Sequence, residues 1–163
     1  MGIENDINQS QFRSEGHKAT VNLIYTCNWM MEKLKTFLDP FDLTSQQYNI
    51  LRILRGAGAK NPLSTMQIRC RMLDKMSDTS RIVDRLIIKE LVAKNVCPRD
   101  KRLVDVIITQ KGLDLLAEID QYSDEHDAIL KNLSVDELQQ LNTLLDKVRE
   151  TVEVDAPVAI EVE

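Results

Sequence analysis

SDTSRIVDRLIIKELVAKNVCPRDKRLVDVIIT, residues 77–109, carries two hydrophobic periods in succession. From Ser77 to about Glu90, Ile82, Val83, Leu86 and Ile87 recur at helical spacing. Ser77, Arg81, Asp84, Arg85 and Ile88 fall on the opposite face. After Glu90 the pattern changes to β-forming residues in two short runs, Leu91, Val92 and Val96, then Leu103, Val104, Val106, Ile107 and Ile108. Between them lies the polar, charged loop Cys97-Pro98-Arg99-Asp100-Lys101-Arg102. The reading is an exposed helix followed by a two-stranded ribbon with a cationic tip.

Upstream, Ser64 caps a short helix carrying Met66, Ile68, Met72 and Leu73, with a break near residues 74–76. Thr44 opens another, and Gln47 three residues on completes a capping-box pattern. Tyr48, Leu51 and Leu54 line its buried face, and Gly56 and Gly58 stop it. From about Ser14 to Leu38 the pattern is a long helix. Leu23, Cys27, Met30, Leu34 and Phe37, with Ile24, Met31 and Leu38 beside them, make an apolar face wide enough for contact beyond one subunit. Asp39-Pro40 ends that helix, because proline disfavours helix in the preceding residue. Residues 1–13 are polar and read as a flexible terminus.

Downstream, Thr109 caps a helix predicted to reach about Lys131, with Leu115, Ile119, Tyr122, His126 and Ile129 as a heptad-like seam. Its length would be about 33 Å. Ser134 and Glu137 form a second capping box before Leu138, Leu141, Leu145, Val148 and Val152. Residues 153–163 alternate apolar and acidic around Pro157, and read as a disordered tail or an edge strand.

The organisation is therefore mainly α with a small two- or three-stranded β-wing. One winged helix-turn-helix domain occupies residues 14–152. Its lobe spans about 44–109, and its long dimerisation helices span about 14–38 and 110–152.

The formal net charge is −5, unevenly placed. Residues 1–63 sum to +1, residues 64–111 to +5 and residues 112–163 to −11. Local field rather than pI decides whether a duplex is attracted. No apolar run approaches the ~20 residues of a membrane helix, and the polar N-terminus lacks a signal-peptide core. A cytoplasmic protein is expected. Cys27, Cys70 and Cys97 lie far apart without a CxxC, so neither a disulfide framework nor a zinc cage is indicated. No nucleophile–base, P-loop or HExxH arrangement occurs. The expectation is a non-enzyme without cofactor or metal.

Three motifs then resemble one family. Leu43-Thr44-x-x-Gln47-Tyr48-x-x-Leu51, the run Ser80–Leu86, and Asp100-Lys101-Arg102-x-x-x-Val106-x-Ile108-Thr109-x-x-Gly112 look like the MarR family of bacterial regulators, over about residues 15–150. The resemblance implies a homodimer whose recognition helices sit in successive major grooves of a pseudo-palindromic operator. It also implies release by a small aromatic or anionic effector, or by cysteine oxidation. It assigns Arg102 to the minor groove and Asp100 to orienting the wing. One departure stands out. The family carries Gly before the Leu-Val that opens the first wing strand, whereas this chain carries Glu90, where a left-handed cap would be strained.

On this reading Ser77, Thr79, Ser80 and Arg81 form the base-facing end of the recognition helix, and Arg85 meets phosphate. Arg99 and Lys101 add phosphate contacts. Ser64 and Thr65 start a helix whose amides suit phosphate. His17, Tyr25, Trp29 and Tyr48 are candidates for an effector pocket, with core or interface packing as the other reading. Cys97, beside Arg99 and Lys101, and Cys27 are either redox-active or inert thiols. A winged-helix protein-interaction module that does not bind DNA is the competing function, motivated by the acidic C-terminal segment.

Overall fold

Side-chain caps set the element boundaries of this chain. The computed structural model describes residues 2–58, 60–96, 104–122, 124 and 128–150. The chain divides into two compact units, Met1–His126 and Asp127–Glu163.

In the first unit, α1 (Ile3–Asp6) precedes α2 (Glu15–Leu38), whose N-cap Ser14 accepts from the His17 amide at 3.1 Å. The frayed terminus expected from sequence needs correction. Ile3 is buried, and Glu4 pairs with Lys18 at 2.5 Å, so an apolar anchor and an ion pair hold the segment. Pro40 converts the end of α2 into a 3-10 turn, Asp39–Phe41.

Helix α3 (Ser45–Ala57) has a complete capping box. The Gln47 amide donates to Thr44 Oγ1 at 3.2 Å, and the Thr44 amide donates to Gln47 Oε1 at 3.1 Å. Its buried face is Gln47, Ile50, Leu51 and Leu54, with Tyr48 only half-buried. Gly58, at φ +97°, ends it. Strand β1 (Leu63–Ser64) leads into α4 (Thr65–Arg71), capped by a second box from Ser64 and Gln67. Of its expected apolar face Ile68 and Met72 are buried, whereas Met66 and Leu73 are exposed.

Helix α5 (Thr79–Ile88) starts two residues later than the sequence suggested, because Asp78 rather than Ser77 is the cap. It ends in a Schellman motif. The Glu90 amide donates to the Ile87 carbonyl at 2.8 Å and the Leu91 amide to the Leu86 carbonyl at 3.0 Å. Glu90 itself sits at φ +61°, the left-handed conformation expected there.

Strands β2 (Val92–Val96) and β3 (Val104–Ile108) pair antiparallel from Val92↔Ile108 to Val96↔Val104. Strand β1 pairs on the other side of β3, giving the order β1-β3-β2. Alternation along β3 buries Val106 and Ile108. Leu54, Ile68, Val83, Leu86, Val106 and Leu116 are each at most 1% exposed and belong to one core that joins sheet and helices.

Helix α6 (Gln110–Asp120) packs tightly at its start. A Cβ on Gly112 would meet the Leu91 carbonyl oxygen at 2.4 Å and Ile108 Cγ1 at 2.8 Å, so only glycine fits. Thr109 fastens this corner, donating from Oγ1 to the Glu90 carbonyl at 2.7 Å and accepting from the Gly112 amide at 3.1 Å.

The helix predicted to reach Lys131 instead ends at Asp120. Its last turn carries no basic side chain but does carry Glu118 and Asp120, which oppose the helix dipole. Asp120 is drawn to α3, receiving Arg55 at 2.6 and 3.2 Å. This pairing holds the Asp120 carboxyl below its usual range. Tyr122, just beyond the end of α6, is exposed, and His126 lies outside the described residues.

In the second unit, a 3-10 turn, Ala128–Leu130, precedes α7 (Val135–Arg149). Its capping box is the expected one, with the Ser134 amide donating to Glu137 Oε2 at 2.7 Å. Leu138, Leu141 and Leu145 are half-buried, and Leu144 and Val148 are exposed. The tail at 153–163 lies outside the described residues. No helix among the described residues is long and apolar enough to cross a membrane.

Candidate nucleic-acid interface

Helix α5 has two chemically different sides. Val83 and Leu86 are fully buried, while Ser80, Arg81, Asp84 and Arg85 are exposed. The Arg81 side chain is 83% exposed, and its Nε lies 3.2 Å from Asp78 Oδ2. Asp78 Oδ1 also accepts from the Arg81 amide at 3.2 Å, so the cap and the first cationic side chain are built together.

Two open clefts flank this helix. One, of about 340 Å³, lies between α4 and the start of α5, and Thr65, Met66, Arg69, Ser77 and Ser80 line it. The other, of about 370 Å³, separates the start of α3 from α5, and Gln46, Ser77, Arg81 and Arg85 line it. The fold thus brings Thr65, Ser77 and Ser80 to one cleft and Ser77, Arg81 and Arg85 to the next.

Thr79 requires a correction. It is buried, and its hydroxyl donates to Met72 Sδ at 3.4 Å, so it packs α5 against α4 instead of facing bases. Its position, one residue before Ser80, put it on the inward side of the helix turn. The Ser64 hydroxyl is occupied as a cap, accepting from the Gln67 amide at 3.2 Å. Sequence reasoning missed Arg69 and Gln46. Arg69 stands four residues after Thr65, one helical turn on, which was the available signal.

Asp74 holds the turn before α5. Its Oδ2 accepts from Ser77 Oγ at 2.6 Å and its Oδ1 from the Met76 amide at 3.0 Å. The Ser77 hydroxyl, then the Met76 amide, hold the Asp74 carboxyl below its usual range. At the other end, Lys89 Nζ reaches Asp42 Oδ2 at 2.9 Å and Lys94 Nζ on β2 reaches Asp84 Oδ1 at 2.5 Å. These pairs fix α5 against the α2–α3 turn and the ribbon. Arg99, Asp100, Lys101, Arg102 and Cys97 lie outside the described residues.

Three of the four ring-bearing candidates, His17, Tyr25 and Trp29, lie on α2, and Tyr48 lies on α3. His17 packs edge-on to Phe12, with ring centroids 5.7 Å apart. Trp29 lies under Lys33, and the Tyr48 hydroxyl accepts from Arg52 at 3.0 Å. Tyr25 is exposed on α2. The cavity that adjoins α2 is lined by other residues, among them Cys27, Met31 and Leu34. Cys27 and Cys70 are exposed free thiols. Among the described residues no group of three or more His, Cys, Asp or Glu side chains is placed to hold a metal.

Comparison with known proteins agrees with this geometry. The MarR family profile matches residues 43–104. The multiple antibiotic resistance protein MarR of Salmonella typhimurium is 32% identical over 129 residues, covering 77% of this chain and 88% of the relative. A cysteine-to-serine variant of Escherichia coli MarR, solved with operator DNA, superposes with a TM-score of 0.71 at 26% identity over 91% of this chain and 99% of that one. A MarR transcription factor from Planctomyces limnophilus gives 0.65 at 32% identity over 84% and 99%. The chain belongs to the MarR family and is a DNA-binding transcriptional regulator, not an enzyme.

Proposed function

We propose that the protein acts as a homodimer on a pseudo-palindromic operator, with one α5 in each of two successive major grooves. Ser77, Ser80 and Arg81 face bases there, and Arg85, Thr65 and the Ser64 end of α4 lie toward phosphates. Arg102, oriented by Asp100, enters the minor groove, with Arg99 and Lys101 on the flanking phosphates. A small aromatic or anionic effector, or oxidation, releases the duplex. His17, Tyr25, Trp29 and Tyr48 contribute to the effector surface only where a second copy completes it.

The observation that carries this reading is the two-sidedness of α5. Val83 and Leu86 are closed off by the chain's own core, and the free face carries Ser80, Arg81 and Arg85, with Asp84 and Ile88 toward its far end. The apolar α2 face, with Ile24 at 58% and Met31 at 44% exposure, supports the second copy.

Fluorescence anisotropy with duplexes from the region flanking the protein's own gene tests the reading, across a salt series. Cognate binding should fall steeply with salt, and Arg102→Ala should weaken it and flatten that dependence. Equal affinity for cognate and scrambled duplexes would overturn operator recognition, and unchanged salt dependence in Arg102→Ala would remove the arginine from the interface.

A further inference from the structure

The cleft between α4 and the start of α5 carries apolar groups that hydroxyl and guanidinium chemistry does not account for. Met66, on α4, is 65% exposed, and Met76, in the turn before α5, is 92% exposed. Both line this cleft, beside Ser77 and Ser80. Met72, the C-cap of α4, took the other course and is sealed in the core. Single exposed apolar residues are ordinary on a protein surface. Two long ones sharing a cleft with serine hydroxyls suit an occupant that is polar and apolar at once.

The charges of the cleft point away from phosphate. Its lining holds one cation, Arg69, and one anion, Asp78, whereas phosphate contacts are made by an excess of positive charge. A base edge fits better. In the major groove each base pair presents donors and acceptors, and thymine alone of the four bases adds an apolar C5 methyl. Serine hydroxyls can donate or accept. A methionine side chain, unbranched and polarisable, moulds itself to a methyl group.

We infer that Met66 and Met76 read thymine in each half-site. Their thioethers close on its C5 methyl, while Ser77 and Ser80 take polar atoms of the neighbouring base edges. This rests on α5 lying in the major groove, and adds to it a base identity that Arg81 and Arg85 do not supply.

The test replaces thymine by deoxyuridine, which keeps the pairing with adenine and lacks only the methyl. A duplex that binds specifically, taken from the region flanking the protein's own gene, is scanned one thymine at a time by fluorescence anisotropy. One thymine in each half-site should respond, with affinity falling about fourfold for the lost methyl and about 15-fold when both half-sites are changed. In the double variant Met66→Ala/Met76→Ala, the thymine duplex should bind more weakly and deoxyuridine should cost nothing further. Met66→Leu/Met76→Leu, which keeps apolar surface, should retain the sensitivity. Leu73→Ala removes a side chain that is equally exposed but absent from this cleft, and should leave the sensitivity intact. Because both methionines are exposed, the variants should melt with the parent.

A deoxyuridine penalty of the same size in the parent and the alanine variant would overturn the inference, as would a scan in which no thymine responds. Arg81→Ala on the unmodified duplex separates the two readings. If it weakens binding while the methionine variants do not, the groove placement stands and thymine reading fails. If neither change affects the duplex, the groove placement itself fails.

Discussion

Helices α5 and α2 are both amphipathic, but the chain finishes them in opposite ways. In α5, ten residues long, Val83 and Leu86 are sealed into the core and the polar side is left open. In α2, 24 residues long, Leu38 is the buried residue, while Leu23, Ile24, Trp29 and Met31 remain 39–58% exposed. A side that the fold leaves open records the chemistry of its partner. The open side of α5 suits a polyanion, and that of α2 suits an apolar surface such as a second copy of itself.

The hardest blow to this contrast would come from charging α2. Ile24→Asp places a carboxylate where an apolar contact is required, and should shift light-scattering mass from dimer to monomer at micromolar concentration. Operator affinity should then fall by about 100-fold or more, since each half-site must be bound singly. A dimer of unchanged stability would break the comparison on the α2 side.

On the α5 side the expected loss is smaller. Arg81→Ala should cost about 1–3 kcal/mol on the cognate duplex if the guanidinium pairs with a guanine. Anisotropy on cognate and scrambled duplexes separates the cases, because equal losses on both would move Arg81 to the phosphate backbone.

The contrast also requires that the core behind α5 stay tightly closed, and Gly112 measures how tightly. Replacing a helical glycine with alanine ordinarily stabilises by about 0.5–1 kcal/mol. Here the new methyl would strike the Leu91 carbonyl, a backbone atom that cannot swing aside. Gly112→Ala should therefore destabilise by about 1–3 kcal/mol, lowering Tm by roughly 2–10 °C. Calorimetry showing a rise in Tm would mean that this corner yields.

Local chemistry was readable before any coordinates. The caps at Thr44, Ser64, Thr109 and Ser134 act within three residues of themselves, and each is found where the sequence put it. The β-ribbon and the period of α5 were legible for the same reason. What escaped was non-local. The last residue of the helix after Thr109, Asp120, is held by Arg55, 65 residues away. The burial of Thr79 depends on Met72 across a turn. The exposure of Met66 and Leu73 shows that apolar spacing on a short helix does not say what covers it. Within the candidate site, Ser77, Ser80, Arg81 and Arg85 could be named from the pattern, whereas Arg69 and Gln46 become neighbours only through packing.

Glu90 offers the finest adjustment, because it sets the angle at which the ribbon leaves the polar helix. Its left-handed backbone, at φ +61°, favours glycine, yet its side chain gains Lys111 Nζ at 2.9 Å. That hydrogen-bonded ammonium holds the Glu90 carboxyl below its usual range. A depressed carboxyl pKa adds stability above the unfolded-state value, and that gain is lost as pH falls through the folded-state value. Glu90→Gly relieves the backbone and forfeits the ion pair, so the two effects oppose each other at neutral pH. In acid the parent has already lost its pair and only the backbone term survives. Glu90→Gly should therefore raise Tm by about 1–3 °C near neutrality, and its advantage should widen in the acid range below the usual carboxylate pKa. Glu90→Ala, which forfeits the pair without gaining glycine's freedom, should lower Tm at neutral pH. If Glu90→Gly and Glu90→Ala melt together across that range, the left-handed cap stores no strain, and the ribbon's angle is set by the Thr109 corner instead.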